Sequence, residues 1–249
     1  MEKKVSELKK KKLKVSEKQA AASVGQVLLI NAWKKAFLKY KKQCGQILLT
    51  HLDAEIRSSS INARNTIEAL IKLNSIPVIN ENDTVATQEL RYGDNDQLAA
   101  RVAQITSSDL LILLSDVDGL YTSNPKKDNN AKLVKYIKKI TKTIEKSSEN
   151  TSSSIAVGGM YTKIKAAKIA LSSGCNMIIT RGNKDSPISS IVKKGKFSLF
   201  LTNTSPKTAR KKWISSQMKI KGKIVIDQGA EEALKKGASL LPAGIISIS

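Results

Sequence analysis

Residues 94–119 read DNDQLAARVAQITSSDLLILLSDVDG, and their pattern decides the fold. Residues 94–107 place Leu98, Val102 and Ile105 at helical spacing, and Leu110–Leu114 follows as five unbroken aliphatic residues. A run that short and that apolar is a strand buried on both faces, the signature of a parallel sheet. Working outward, Ile76–Asn80 (IPVIN) and Gln46–Thr50 (QILLT) read as further strands, and 176–180 as another. Between them, 62–73 has helical period with Ser60 or Asn62 as N-cap, 159–172 has Ile164, Ala167 and Ala170 on one side, and 15–42 predicts a long amphipathic helix with a bend at Gly25. Helices alternating with short apolar strands predict an α/β protein with βαβ units and a sheet covered on both faces. Beyond Phe197 the pattern loosens, with strands expected at 199–202, 223–227 and 245–248 and a helix at 230–236. Lys132–Ile137 reads as an edge strand, and Ser147–Ser154 (SSENTSSS) as a loop.

The whole chain of 249 residues carries a hydrophobic fraction of 41%, too high for a disordered polyelectrolyte. Cys44 and Cys175 allow at most one disulfide and no thiolate metal cluster. No apolar run approaches a membrane span, and residues 1–14 lack the apolar core of a secretory signal, so the expectation is a cytoplasmic protein. A net charge of +22 invites a nucleic-acid reading. Its distribution favours solvated lysines instead. Residues 43–118 hold 11 acidic and 5 basic side chains, an acidic island between lysine-rich flanks. Only six basic residues are Arg, and aromatics, at 4%, are too sparse for base stacking. The run Lys9–Lys12 is the patch where a nucleic-acid surface stays most plausible.

The acidic island falls where open parallel sheets bind ligands, just past the carboxyl ends of strands. Glu81, Asn82 and Asp83 follow IPVIN, Asp94, Asn95 and Asp96 open the next helix, and Ser115, Asp116 and Asp118 follow LLILL. Helix capping accounts for one of these carboxylates, but not for three clusters on one rim. A second informative segment is Val157-Gly158-Gly159-Met160-Tyr161-Thr162-Lys163 at a helix start. Adjacent glycines let backbone approach a ligand, free N–H groups favour phosphate, and Lys163 can neutralise a transferring phosphoryl group. Together the two features suggest a nucleotide with a divalent metal.

NENDTVAT (Asn80–Thr87), GDNDQLAA (Gly93–Ala100), LLILLSDVDGLYTSNP (Leu110–Pro125) and GGMYTK (Gly158–Lys163), in this order and spacing, resemble the glutamate 5-kinases of the amino-acid kinase family. EKQAAASVGQ (Glu17–Gln26), NARNT (Asn62–Thr66) and SLLPAGI (Ser239–Ile245) resemble it as well. The resemblance implies a three-layer αβα sandwich with a mainly parallel sheet. It implies transfer of phosphate from ATP, with Mg²⁺, to the γ-carboxylate of L-glutamate in proline biosynthesis, and a homo-oligomer. By the same resemblance Asp83, Asn95 and Asp94 hold glutamate, with Asp83 on its ammonium. Ser115, Asp116 and Val157 to Lys163 hold the nucleotide, Lys163 and Asp96 are the catalytic pair, and no protein metal ligand is assigned. A carboxylate nucleophile needs no general base, in keeping with a lone His51 far from these motifs.

The family also opens with a strand, a Lys-x-Gly-Ser-Ser loop, a helix and a second strand ending in Ser-Ser-Gly-Ala. Neither loop motif occurs here. The expectation is a kinase domain over 1–203 that misses its first strand-helix-strand, from a misplaced start or a decayed gene. Ala156-Val157 stands where the family has Gly-Thr, and 204–249 is expected to end the kinase domain and begin a linker to a missing PUA domain. Two alternatives stay beside the kinase reading: a catalytically impaired remnant and a basic nucleic-acid-binding protein.

Overall fold

The computed structural model describes residues 14–86, 95–125, 128–149, 159–183, 185–193, 195–206, 208–209 and 223–248. Lys9–Lys12, Asp94, Val157 and Gly158 fall outside these residues. The chain divides into two compact units, 1–210 and 211–249.

The first unit opens with α1 (Val15–Leu38), one continuous helix through Gly25. The turn at 39–41, with Lys41 in the left-handed region, ends it. None of its 24 residues is buried. Strand β1 (Gln43–Leu49) leads into a short helix, α2 (His51–Glu55), then α3 (Arg57–Lys72) and β2 (Ser75–Glu81). The start expected at Ser60 or Asn62 is corrected here: α3 begins at Arg57, and the Ser60 hydroxyl donates within the helix to the Arg57 carbonyl at 2.9 Å. The N-cap in this region is Thr50, whose Oγ1 accepts from Asp53 N while the Asp53 carboxylate accepts from Thr50 N, a reciprocal capping box.

Next come α4 (Asn95–Thr106), β3 (Leu110–Ser115), the two-residue β4 (Tyr136–Ile137), α5 (Lys142–Glu149) and α6 (Met160–Ser172). After them follow β5 (Asn176–Arg181), α7 (Pro187–Val192) and β6 (Phe197–Phe200). The loop expected over Ser147–Ser154 is thus helical through Glu149, and the strand expected over Lys132–Ile137 shrinks to β4 plus a bridge between Tyr121 and Leu133.

The fold is α/β, and its strands do not form one sheet among the described residues. β1 pairs in parallel with β2, while a second sheet runs β3-β5-β6-β4. Within the second, β3–β5 and β4–β6 are parallel and β5–β6 antiparallel. The main core lies on this second sheet, where Ala100 of α4, Ala166, Ala167 and Ala170 of α6, and Met177, Ile179 and Phe200 of the strands are wholly inaccessible. The alanines let α4 and α6 pack closely on each other and on the strands. Cys175, just before β5, is also fully buried, and burial first, then the Asp109 charge, pushes its thiol up to about 11. A smaller cluster of Leu49, Ala63 and Leu98 joins β1, α3 and α4.

One contact fixes the loop after β3. Gly119 lies against β6, where a Cβ would stand 2.9 Å from the Ser198 backbone nitrogen. The buried Ser198 hydroxyl accepts from Leu120 N at 2.8 Å and donates to the Val134 carbonyl at 2.6 Å.

In the second unit β7 (Ile224–Ile226) pairs antiparallel with β8 (Ile245–Ile248), and α8 (Gln228–Lys235) lies between them in sequence. Asp227 caps α8, its Oδ1 accepting from Ala230 N at 2.7 Å.

Candidate active site

In a βαβ arrangement a helix runs opposite to its strands, so the first turns of α4 and α6 lie at the rim where β2, β3 and β5 end. The sequence motifs converge on that rim.

Lys163 and Asp96 form its best-defined pair. Lys163, in the first turn of α6, is buried to 6% exposure, and its Nζ donates to Asp96 Oδ2 at 2.9 Å. Thr162 Oγ1 donates to the same oxygen at 3.1 Å and to the Gly159 carbonyl at 2.8 Å. An ammonium so removed from water is costly unless paired, and Asp96 supplies the counter-charge. Gly159 precedes α6 in extended geometry. Met160 packs on the main core, and the Tyr161 ring carries the Lys165 ammonium 4.4 Å from its centroid. Lys163, Thr162 and Asp96 therefore come together, whereas Met160 and Tyr161 have packing contacts of their own.

At the end of β3 the Ser115 hydroxyl donates to Asp116 Oδ1 at 3.0 Å, and Asp116 is exposed. Asp118 turns the other way. It accepts from Arg181 Nε at 3.0 Å and from the Tyr121 hydroxyl at 3.3 Å. Burial and the Asp118 charge hold the Tyr121 hydroxyl above its usual range. The Asp118–Arg181 ion pair thus ties the loop after β3 to the end of β5.

Beyond β2, Asp83 lines a cavity of about 220 Å³ with Ser23, Gln26, Glu81, Asn82 and Thr84. Burial alone pushes its carboxyl above the ordinary range. Asn95 opens α4 and lines a different cavity, of about 350 Å³. Of the three expected glutamate residues, Asp83 and Asn95 therefore do not share one cavity; Asn80 links their surroundings. Its amide donates to Gln26 Oε1 at 2.8 Å, and its own Oδ1 accepts from Asn95 Nδ2 at 3.1 Å.

Gln26, Asn80, Tyr121 and Arg181 are the residues sequence reasoning did not assign to the rim. Arg181 had a legible signal, as a lone Arg at the carboxyl end of the apolar strand 176–180. Gln26 closes the family-like stretch Glu17–Gln26, but nothing in that stretch points to Asn80, 54 positions away.

Comparison with known proteins fits this geometry. The amino acid kinase family matches residues 2–181, and the PUA domain matches residues 222–249. The second match narrows the expectation of a chain lacking the PUA domain altogether, because β7, α8 and β8 fall within it. Glutamate 5-kinase from Paramagnetospirillum magneticum is 51% identical over 237 residues, covering 95% of this chain and 64% of that protein. Glutamate 5-kinase from Pelagibacter ubique is 51% identical over 242 residues, covering 97% and 66%. The chain thus spans just under two thirds of the length of these curated relatives. Among solved structures, UMP kinase from Ureaplasma parvum superposes with a TM-score of 0.46 at 18% identity, covering 69% of this chain and 65% of that one. By a match that runs over most of its length and takes in the whole rim, the chain belongs to the amino acid kinase family.

Proposed function

We propose that the chain transfers the γ-phosphoryl group of ATP to the γ-carboxylate of L-glutamate, giving glutamyl 5-phosphate for proline biosynthesis. The observation that carries this reading is the buried Lys163 ammonium held on Asp96 at the start of α6. The 51% identity to glutamate 5-kinases supports the choice of acceptor.

Phosphoryl transfer asks for position and charge neutralisation rather than covalent catalysis. Lys163 supplies a positive charge for the phosphoryl oxygens, Asp96 and Thr162 fix where it stands, and Gly159 keeps the approach to α6 open. Ser115 and Asp116, at the end of β3, offer a hydroxyl and a carboxylate to the nucleotide. Asp83 takes the substrate ammonium, and Asn95, oriented through Asn80, donates to a substrate carboxylate. Asp94, Val157 and Gly158 complete these two groups by their place in the motifs. Mg²⁺ would accompany the nucleotide and help neutralise its phosphates, with no protein ligand assigned to it. No described helix is long and apolar enough to cross a membrane. The same reading carries a cytoplasmic location, no role for nucleic acid, and a homo-oligomer, for which exposed Val24, Leu28 and Trp33 on α1 offer apolar surface.

The test is ADP release by the purified chain with Mg-ATP, with and without glutamate. Release that depends on glutamate supports the proposal, and a folded chain with none sinks it. Asp83→Ala is expected to raise the KM for glutamate far more than that for ATP; equal rises would contradict the role of Asp83. A second reading, ligand binding without turnover, is favoured by one observation: among the described residues β2 and β3 do not pair with each other.

A further inference from the structure

The ends of β3 and β5 place a guanidinium beside the residues proposed for the nucleotide. The two strands run parallel and in register, with Leu111 opposite Met177, Leu113 opposite Ile179 and Ser115 opposite Arg181. Leu111, Leu113, Met177 and Ile179 pack in the main core with the alanines of α4 and α6. Side chains alternate along a strand, so Ser115 and Arg181 continue that helix-covered face up to the rim. Lys163, in the first turn of α6, belongs to the same face and the same end.

Arg181 is held there with donors to spare. Its Nε donates to Asp118 Oδ1 at 3.0 Å, while Asp118 Oδ2 accepts from the Tyr121 hydroxyl at 3.3 Å. The close seat of Gly119 against Ser198 fixes the loop that carries Asp118. The Asp118 side chain is 14% exposed and that of Arg181 34%, so the pair covers the carboxylate and leaves part of the guanidinium open. Among the described residues the guanidinium is hydrogen-bonded through Nε, and its two terminal nitrogens remain to donate outward. A fork whose plane one carboxylate already sets loses little freedom on meeting a second anion, and its parallel N–H groups match a phosphate.

We propose that Arg181 binds the nucleotide, its terminal nitrogens donating to a phosphate of ATP beside Ser115, with Asp118 and Tyr121 as its positioning residues. The proposal rests on the kinase reading above. It adds a second protein cation to Lys163, at a ligand whose phosphates carry several negative charges.

Calorimetric titration of the full chain with ATP and with adenosine, in the absence of glutamate, tests it. Arg181→Gln should weaken ATP binding roughly tenfold to a hundredfold and leave adenosine binding within about twofold. Arg181→Lys should recover only part of the loss, because it restores the charge without the fork. If Arg181→Gln strands the covered Asp118 carboxylate and does not fold, Arg181→Gln combined with Asp118→Asn removes both charges and makes the same test. Arg64→Gln, an equal loss of charge on α3, should leave ATP binding unchanged. Native ATP affinity in the Arg181 variants overturns the proposal and leaves the kinase reading standing. An equal loss for ATP and adenosine also overturns it, and makes Arg181 a tie between loops. A native chain that binds no ATP sinks the kinase reading and this proposal together.

Discussion

The block around β3, β5 and β6 and the block around α1, β1 and β2 are built differently. In the first, Ile179, Met177, Phe200 and the alanines of α6 are wholly inaccessible. In the second, α1 buries nothing completely, and the buried cluster is Leu49, Ala63 and Leu98. The proposed phosphate-handling groups stand on the packed block, while the proposed glutamate groups depend on single polar bridges such as Gln26–Asn80–Asn95. Packing preorganises the one, and hydrogen bonds of modest net value hold the other.

The widest contrast should appear in stability. Phe200→Ala is expected to cost roughly 3–5 kcal/mol, against under about 0.5 kcal/mol for Leu38→Ala at the exposed end of α1. Urea midpoints measure both, and similar losses would erase the distinction. In catalysis, Lys163→Met should lower kcat by roughly 10²–10³-fold while leaving glutamate binding in place, because the ammonium acts on the transferring group. A change mainly in the glutamate KM would move Lys163 to the other half of the site.

Proton linkage sharpens the glutamate side. Burial raises the Asp83 pKa, so its charged form costs stability at neutral pH, a cost relieved as pH falls through the folded-state value. The ionised form is the one that holds an ammonium. Glutamate affinity should therefore begin to fall with decreasing pH before the ordinary carboxylate range is reached, and Asp83→Asn should remove that dependence. Calorimetric titration at several pH values reads it. A small effect is also expected at the Arg101–Glu55 pair, 2.9 Å apart, where Arg101→Ala should cost about 0–1 kcal/mol in the same urea experiment.

Local pattern carried most element positions, because periodicity and aliphatic runs are local properties. Helix α2 was missed and the start of α3 set too late, although Thr50 and Asp53 spell a capping box, since a five-residue helix leaves little periodic trace. Strand order and direction were less legible. The antiparallel β5–β6 pair depends on how α7 returns the chain, which no short window contains. LLILL marked a strand covered on both sides and did name the strand, but the present neighbours leave Leu110 and Leu114 half open. At the rim, the family resemblance named Asp96 and Lys163 together, whereas the contact of Gln26 with Asn80 became visible only in the fold.

The two cysteines fall on opposite sides of this division. Cys175 is sealed before β5, and with a thiol held up at about 11 it offers almost no thiolate to an electrophile near neutral pH. Cys44, on β1, is only partly covered. A maleimide dye added to the folded protein would thus mark β1 alone, giving the loosely built half a built-in optical reporter while the packed half stays dark.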